Sequence, residues 1–414
     1  MELTYIERSM LDGAKGEAVQ RALEYQLKVA EYYKAERFVP VTQVHMTADI
    51  DVMGDLGLAF LEEQANLGAR FVVPTTTNAR CVDFGNCNKL GQCSDSTGKE
   101  ERIRNIINKM GAITIDTCIN YQTAYQPRMN EHVAWGDTGT VIYANSVFGA
   151  RTNFESGPAA FAAALTGRVP AYGFHLDENR KGTIIFDIEA DIKDLADWGI
   201  LGWFIGSRVF DYNVVPVLNN VARFSPTTDD LKHFGASMAT WSLAMFHAVG
   251  VTPEARTLEE ATGGRTDIER ITISDKDLKS VYEKFNDFDE PRASVVVFSG
   301  PQLSIAEIRN VANMLEGKKV NKDTTLIITC SEATLVQAKQ AGFADTIERA
   351  GGIFLTGVCF YILDGLSEIR KANGWKTLVT NSAKLANNVK VHRFVPVVRS
   401  TRECIDIAIR GWIE

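Results

Sequence analysis

Ser294-Val-Val-Val-Phe-Ser-Gly-Pro-Gln302 is the stretch whose reading decides the fold class. After Ser294, the four residues Val295 to Phe298 are apolar and β-branched or aromatic without polar alternation, as a strand buried on both faces requires, and Gly300-Pro301 close the run. Downstream the spacing predicts a helix over 304–315, a strand over 325–329, a helix over 333–341, strands over 353–356 and 377–379, and a last helix over 402–409. Strands alternating with helices pair in parallel through right-handed crossovers, so residues 291–414 are expected to form an α/β domain with a doubly wound parallel sheet. In such sheets ligands sit beyond the carboxyl ends of the strands. The residues there are Ser299 to Gln302, Cys330-Ser331, Gly357-Val-Cys359 and Asn381-Ser-Ala-Lys384. Topology alone therefore gathers Cys330, Cys359, Ser382 and Lys384 along one edge.

Working outward, residues 1–290 read as one or more further α/β lobes, set off by the polar, Pro-containing stretch 286–292. Helices are expected over 7–33, 56–67, 102–110 and 158–165, the last begun by Pro158. Strands are expected over 38–44, 69–73 and 112–116. Pro74 would stop the second of these and lead into Thr75-Thr-Thr-Asn78, whose hydroxyls and amide suit a ligand. The 414 residues, 45% hydrophobic and 23% charged, suit a soluble chain of two or three domains. A net charge of -8 opposes nucleic acid and anionic membrane as partners. No apolar run approaches the ~18 residues of a membrane span, and Met-Glu-Leu-Thr lacks the basic start of a secretory signal. Seven scattered cysteines, an odd number, argue against a disulfide scaffold. The expected protein is cytoplasmic, with free thiols or a metal site.

Several residues could carry chemistry. Cys81, Cys87 and Cys93 lie in the polar loop 79–97 with five residues between successive cysteines, which is not a zinc-ribbon or ferredoxin spacing. Cys118 and Cys359 each follow a strand, where a lone thiol is more often a small buried apolar group than a ligand. Tyr143-Ala-Asn-Ser-Val-Phe-Gly-Ala-Arg-Thr-Asn153 sets Asn145, Ser146, Arg151 and Thr152 around Gly149. The Arg fork matches a carboxylate or phosphate, but the string is no Walker loop or dinucleotide fingerprint. Among six histidines, His45 and His175 lie near strand ends or turns. No Gly-x-Ser-x-Gly elbow supports a serine hydrolase.

Along essentially the whole chain these strings resemble the large, catalytic subunit of aconitase X, a branch of the aconitase superfamily. The likeness rests on Met10-Leu-Asp-Gly13, Val72-Val-Pro-Thr-Thr-Thr-Asn78, Thr117-Cys118, His132-Val-Ala-Trp135, Tyr143 to Asn153, Tyr172-Gly-Phe-His175, Gly250-Val-Thr-Pro-Glu-Ala255 and Asn381-Ser-Ala-Lys384. The resemblance implies an aconitase-like, multi-lobed α/β core lacking the small swivelling domain, which would arrive as a separate subunit and make a heterodimer. It implies a hydro-lyase that dehydrates a small hydroxy acid, as cis-3-hydroxy-L-proline dehydratase and mevalonate 5-phosphate dehydratase do, with iron or an iron–sulfur cluster as Lewis acid. Carried onto this chain, Ser382 is the base with Lys384 lowering its pKa. Thr75, Thr76, Asn145, Ser146, Arg151, Thr152 and His175 are substrate contacts, and Cys118 and Cys359 are metal ligands. The family's third cysteine, in a Gly-Cys-Pro-His string, falls on Gly300, and Gln302 takes the place of the His. A substitute thiol among Cys81, Cys87, Cys93 and Cys330, or a reduced cluster, a single metal ion or no metal, follows. The alternative is a cluster-less paralogue that binds a related metabolite or partner, or one that dehydrates without metal.

Overall fold

The computed structural model describes residues 1–414. Three parallel sheets organise the chain into three lobes, with a small antiparallel pair, Phe38–Pro40 with Arg168–Pro170, on the first. The first sheet runs Ala112–Ile113, Thr75–Thr77, Val44–Met46, Ala134–Trp135. The second runs Arg270–Ile273, Ile184–Ile188, Pro216–Asn219, His247–Ala248. The third runs Gly352–Thr356, Thr325–Cys330, Val295–Phe298, Thr377–Thr380, Val395–Val398, all parallel. That order reverses direction between Val295–Phe298 and Thr377–Thr380, and at such a switch point the flanking loops part to leave a crevice. Gly300 to Gln302 and Ser382 to Lys384 are the loops that flank it. No helix is long and apolar enough to cross a membrane.

The third sheet matches the sequence reading closely, because its central strands are buried apolar runs. The first lobe departs from it. Residues 7–33 form two helices, Tyr5–Leu11 and Glu17–Tyr32, broken where Gly13 and Gly16 take left-handed φ of 80° and 92°. Residues 38–44 divide between two sheets. Val72-Val73 is not a strand: Pro74 precedes the strand rather than ending it, and its carbonyl receives the Val44 N–H while Thr75–Thr77 pair with Val44–Met46. The stretch read as a ligand loop is thus largely a buried strand.

Apolar packing joins the lobes. A core of 41 buried residues, including Trp198, Phe234 and Phe246 of the second lobe, extends to Cys118 of the first and to Ala383 and Val398 of the third. Charge joins them as well. Helix Thr228–Ala239 of the second lobe buries Lys232, whose ammonium pairs with Glu307 on helix Ile305–Leu315 of the third and lies 3.0 Å from Asp229. His233 Nε2 is 2.9 Å from the other Glu307 oxygen, and Ser304 Oγ donates to Asp229 at 2.8 Å. Burial works against the Glu307 charge, but Lys232 and His233 outweigh it and hold the carboxyl well below its usual range.

Removing the cation alone would leave two largely buried carboxylates without it. Lys232→Met is therefore expected to lower unfolding free energy by ~3–5 kcal/mol. Urea denaturation checks it, and a loss under ~1 kcal/mol would place the pair among interactions no stronger than a surface bridge.

Candidate functional site

The carboxyl ends of the first and third sheets face each other, and the loops that leave them interlock. Arg80, three residues past Thr77, pairs through its backbone with Gly357 and Val358, just past Thr356. Its buried guanidinium bonds Asp116 at 3.0 Å and Glu332 at 3.1 Å. A Cβ on Gly357 would come within 2.7 Å of that guanidinium, so only glycine lets the strands approach this closely. Asp116 precedes Thr117-Cys118 and Val358 precedes Cys359, so this clamp brings both thiols to one place.

Both thiols are buried. Burial pushes Cys359 up to about 11 although the Lys384 ammonium works against it. Burial raises Cys118 further, with Cys359 and Asp137 adding to the effect. The Gln302 N–H donates to Cys118 Sγ at 3.3 Å. Lys384 lies on the first turn of helix Ala383–Asn388 and donates to Thr138 Oγ1 at 3.2 Å, across the cleft between the third and first lobes. Asp137 caps helix Thr138–Tyr143, accepting from Gly139 N at 2.9 Å and Thr140 N, with Asn78 Nδ2 at 3.3 Å on its other oxygen. Its charge is thereby held beside Lys384 and the thiols.

His45 completes the arrangement from the centre of the first sheet. Its Nδ1 is 2.8 Å from Thr76 Oγ1, while Nε2, fully buried, has no hydrogen-bond partner. Thr76 Oγ1 accepts from Gln43 Nε2 at 2.7 Å and lies 3.4 Å from the Val44 carbonyl, and in the tautomer protonated at Nδ1 the Nε2 lone pair is free. Burial lowers His45 to about 4, and the imidazole is neutral at physiological pH.

The residues expected from the sequence divide. Cys118, Cys359, Ser382 and Lys384 come together. Ser382, however, caps its helix by accepting from Leu385 N at 3.1 Å and donates to the Gly300 carbonyl, while Lys384 bonds Thr138. The expected Lys384-activated serine is not the arrangement found.

Cys81 is not the substitute ligand. The side chain points into the first-lobe core, its Sγ 4.0 Å from Glu100 Oε2, while the neighbouring Arg80 turns to Asp116. No group of three or more His, Cys, Asp or Glu side chains is placed to hold a metal ion. With Gly300 lacking a side chain, the donor set is two thiols, which does not fit a cluster bound through three.

The expected substrate contacts are also used differently. Thr75 Oγ1 donates to the Val73 carbonyl, and Thr76 supports His45 from within the sheet. Asn145 bonds the Thr152 backbone and the Ala244 carbonyl, Ser146 Oγ receives the Phe246 N–H, and Thr152 Oγ1 receives the Trp135 N–H. Arg151 bonds Asn130 at 2.9 Å and pairs with Asp177. His175 meets His132 at 2.9 Å, with Glu155 at 3.6 Å. Arg151 bridges His132, which precedes strand Ala134–Trp135, so this group lies at the amino end of the first sheet and the thiols at the carboxyl end. Asp137 and Thr138 were not found from sequence, because the strand that presents them is only two residues long.

Comparison with known proteins follows the same outline. Models of the Aconitase X first, second and third domains match residues 1–178, 182–283 and 293–410. The phosphomevalonate dehydratase large subunit of Thermococcus kodakarensis is 35% identical over 389 residues, 93% of this chain and 94% of that one. The cis-3-hydroxy-L-proline dehydratase of Hypocrea jecorina is 33% identical over 423 residues, covering 100% of this chain and 70% of that enzyme. The crystal structure of Thermococcus kodakaraensis aconitase X in its holo form superposes with a TM-score of 0.87 at 32% identity, over 99% of this chain and 100% of that one.

The Cys81 environment generates a pH prediction. Burial raises Glu100 to about 8 and Asp49 to about 6. A carboxyl whose folded pKa is raised favours the fold below its unfolded value, and that contribution is lost as pH rises through the folded one. Glu100→Gln stays neutral throughout. Its stability relative to the parent should increase between pH 5 and pH 9 by on the order of 3 kcal/mol. Urea midpoints at both pH values check this, and parallel pH profiles would refute it.

Proposed function

The chain belongs to the aconitase X family, and from that premise we propose that it is a hydro-lyase acting on a small hydroxy acid. The observation that carries the reading is the meeting of His45, Asp137 and Lys384 beside two buried thiols where the strand ends of two lobes face each other. Relatives named for dehydration of phosphomevalonate and of cis-3-hydroxy-L-proline support the reaction class.

Dehydration needs one group to take a proton from the carbon beside a carboxylate and another to give a proton to the departing hydroxyl. The free Nε2 lone pair of neutral His45 suits the first task, and the Lys384 ammonium suits the second. As the C–H bond breaks its electrons form the C=C bond, the C–O bond breaks, and hydroxide leaves as water with the proton from Lys384. One proton is taken and one given, so return of the His45 proton to Lys384 resets the site without an outside acid. Asp137 keeps the local charge balanced while Lys384 is protonated. Ser382 lines the crevice with its proton on the Gly300 carbonyl, which makes it a wall and helix cap in this reading rather than the base. The two thiols, without a third donor, would hold a metal only weakly.

We place a separate small subunit over the cleft, since several relatives are named large subunits. The seven free cysteines suit a reducing, cytoplasmic setting.

The test is turnover. The protein, isolated with whatever co-purifies, is offered a panel of small hydroxy acids that includes the two named above, and formation of the alkene is followed by ultraviolet absorbance. Lys384→Met is expected to lower kcat by ~10²–10⁴ with an unchanged melting temperature. Full activity in that variant would remove Lys384 from the chemistry, and no turnover of any hydroxy acid by the parent would sink the hydro-lyase reading.

A further inference from the structure

Gln302 is completely buried and touches all three lobes. Its side-chain oxygen accepts from Thr117 Oγ1 at 2.6 Å. Its amide nitrogen donates to the carbonyls of Asp116 at 3.3 Å and Val358 at 3.0 Å. Its backbone N–H donates to Cys118 Sγ at 3.3 Å, and its backbone carbonyl lies 3.4 Å from Lys232 Nζ of the second lobe. Thr117 immediately precedes one thiol and Val358 immediately precedes the other, so the amide grips each cysteine loop at the residue next to the sulfur. The opening it fills presents two carbonyl oxygens and one hydroxyl donor. A neutral amide, with two N–H donors and an acceptor, satisfies all three, whereas a carboxylate would set negative charge against both carbonyls.

We propose that Gln302 is a positioning residue, which fixes Cys118 and Cys359 relative to each other and to Lys384 through hydrogen bonds to the neighbouring residues and takes no part in the chemistry itself. The proposal rests on the hydro-lyase reading only for the reaction it serves. The geometry it asserts can be measured without that reaction.

The measurement is alkylation of the folded protein by iodoacetamide, mapped by peptide mass spectrometry. Labelling of Cys118 and Cys359 is expressed relative to Cys330 and Cys404, buried in the third-lobe core, so that changes in thiolate fraction with pH largely cancel. Gln302→Ala should raise that ratio about tenfold or more, since each tenfold corresponds to only ~1.4 kcal/mol of easier local opening. Gln302→Glu discriminates hydrogen bonding from packing. Near pH 8 its carboxylate should give the same high ratio as Gln302→Ala. Near pH 5.5 the carboxyl, its pKa raised by burial among carbonyls, regains a donor and the ratio should fall back toward the parent. An unchanged ratio in Gln302→Ala, or a Gln302→Glu protein matching the parent at pH 8, would overturn the proposal.

Should Gln302→Ala fail to fold, Thr117→Val removes a single bond and should raise labelling of Cys118 by a smaller factor, and no rise would count against the proposal. In the activity arm both Gln302 variants should lower kcat with little change in KM, and Gln302→Glu should recover activity toward acid more than the parent does. A fall in kcat without altered labelling would assign Gln302 to substrate contact instead and overturn its positioning role. If the parent turns over no hydroxy acid, the function reading fails while the labelling arm still decides this one.

Discussion

One buried amide sets the terms for the rest of this molecule. Three parallel sheets can each form from their own strand pairing, but nothing in that pairing says how their loops should meet. Gln302 supplies the answer at the centre, because a group with two donors and one acceptor fits only one mutual placement of the Asp116, Thr117 and Val358 backbones and side chains. Arg80 repeats the logic on the periphery, with a guanidinium fork joining Asp116 to Glu332 and backbone pairing to Gly357. Unsatisfied groups in such a place would each cost ~1–3 kcal/mol, so the interlock is specific as well as stable.

That specificity explains the character of the cleft. Parallel strands deliver the loops beyond their carboxyl ends to one edge, and two such edges set face to face concentrate polar groups in a space shielded from water. A neutral imidazole, a capped carboxylate and an ammonium can coexist there only because each is oriented by its own element: His45 by the sheet, Asp137 by the helix it caps, and Lys384 by the first turn beyond the switch point. Low dielectric strengthens whatever fields these groups exert on a bound molecule.

The third lobe was legible in the sequence because its central strands are covered on both faces and so read as unbroken apolar runs. The gathering of Cys359, Ser382 and Lys384 followed from topology, and Cys118 from the family resemblance. The first lobe was less legible for a physical reason: strands of two or three residues carry almost no periodicity, so Ala134–Trp135 and the Asp137 beyond it left no pattern to detect. Arg151 shows a different limit. Its residue type was suited to an anion, but nothing in a local string says at which end of a sheet it emerges, and the structure commits it to Asp177 and Asn130. Cys81 shows a third, since the neighbouring Arg80 turns to Asp116 while the plausible ligand is itself a core thiol. Gln302 stood out only as a departure from a family string, and its bonds span 184 residues or more to the first lobe, far beyond any local window.

The Lys232 pair bears on how the chain comes to be folded at all. Its cation belongs to one sheet's helix, where Asp229 partly balances it, and its main counter-charge to the next, so the pair is complete only when the two lobes meet. Docking of the second and third lobes therefore takes both halves of the charge out of water in one step, and exchanging either lobe for a foreign neighbour would leave the other half buried without its match.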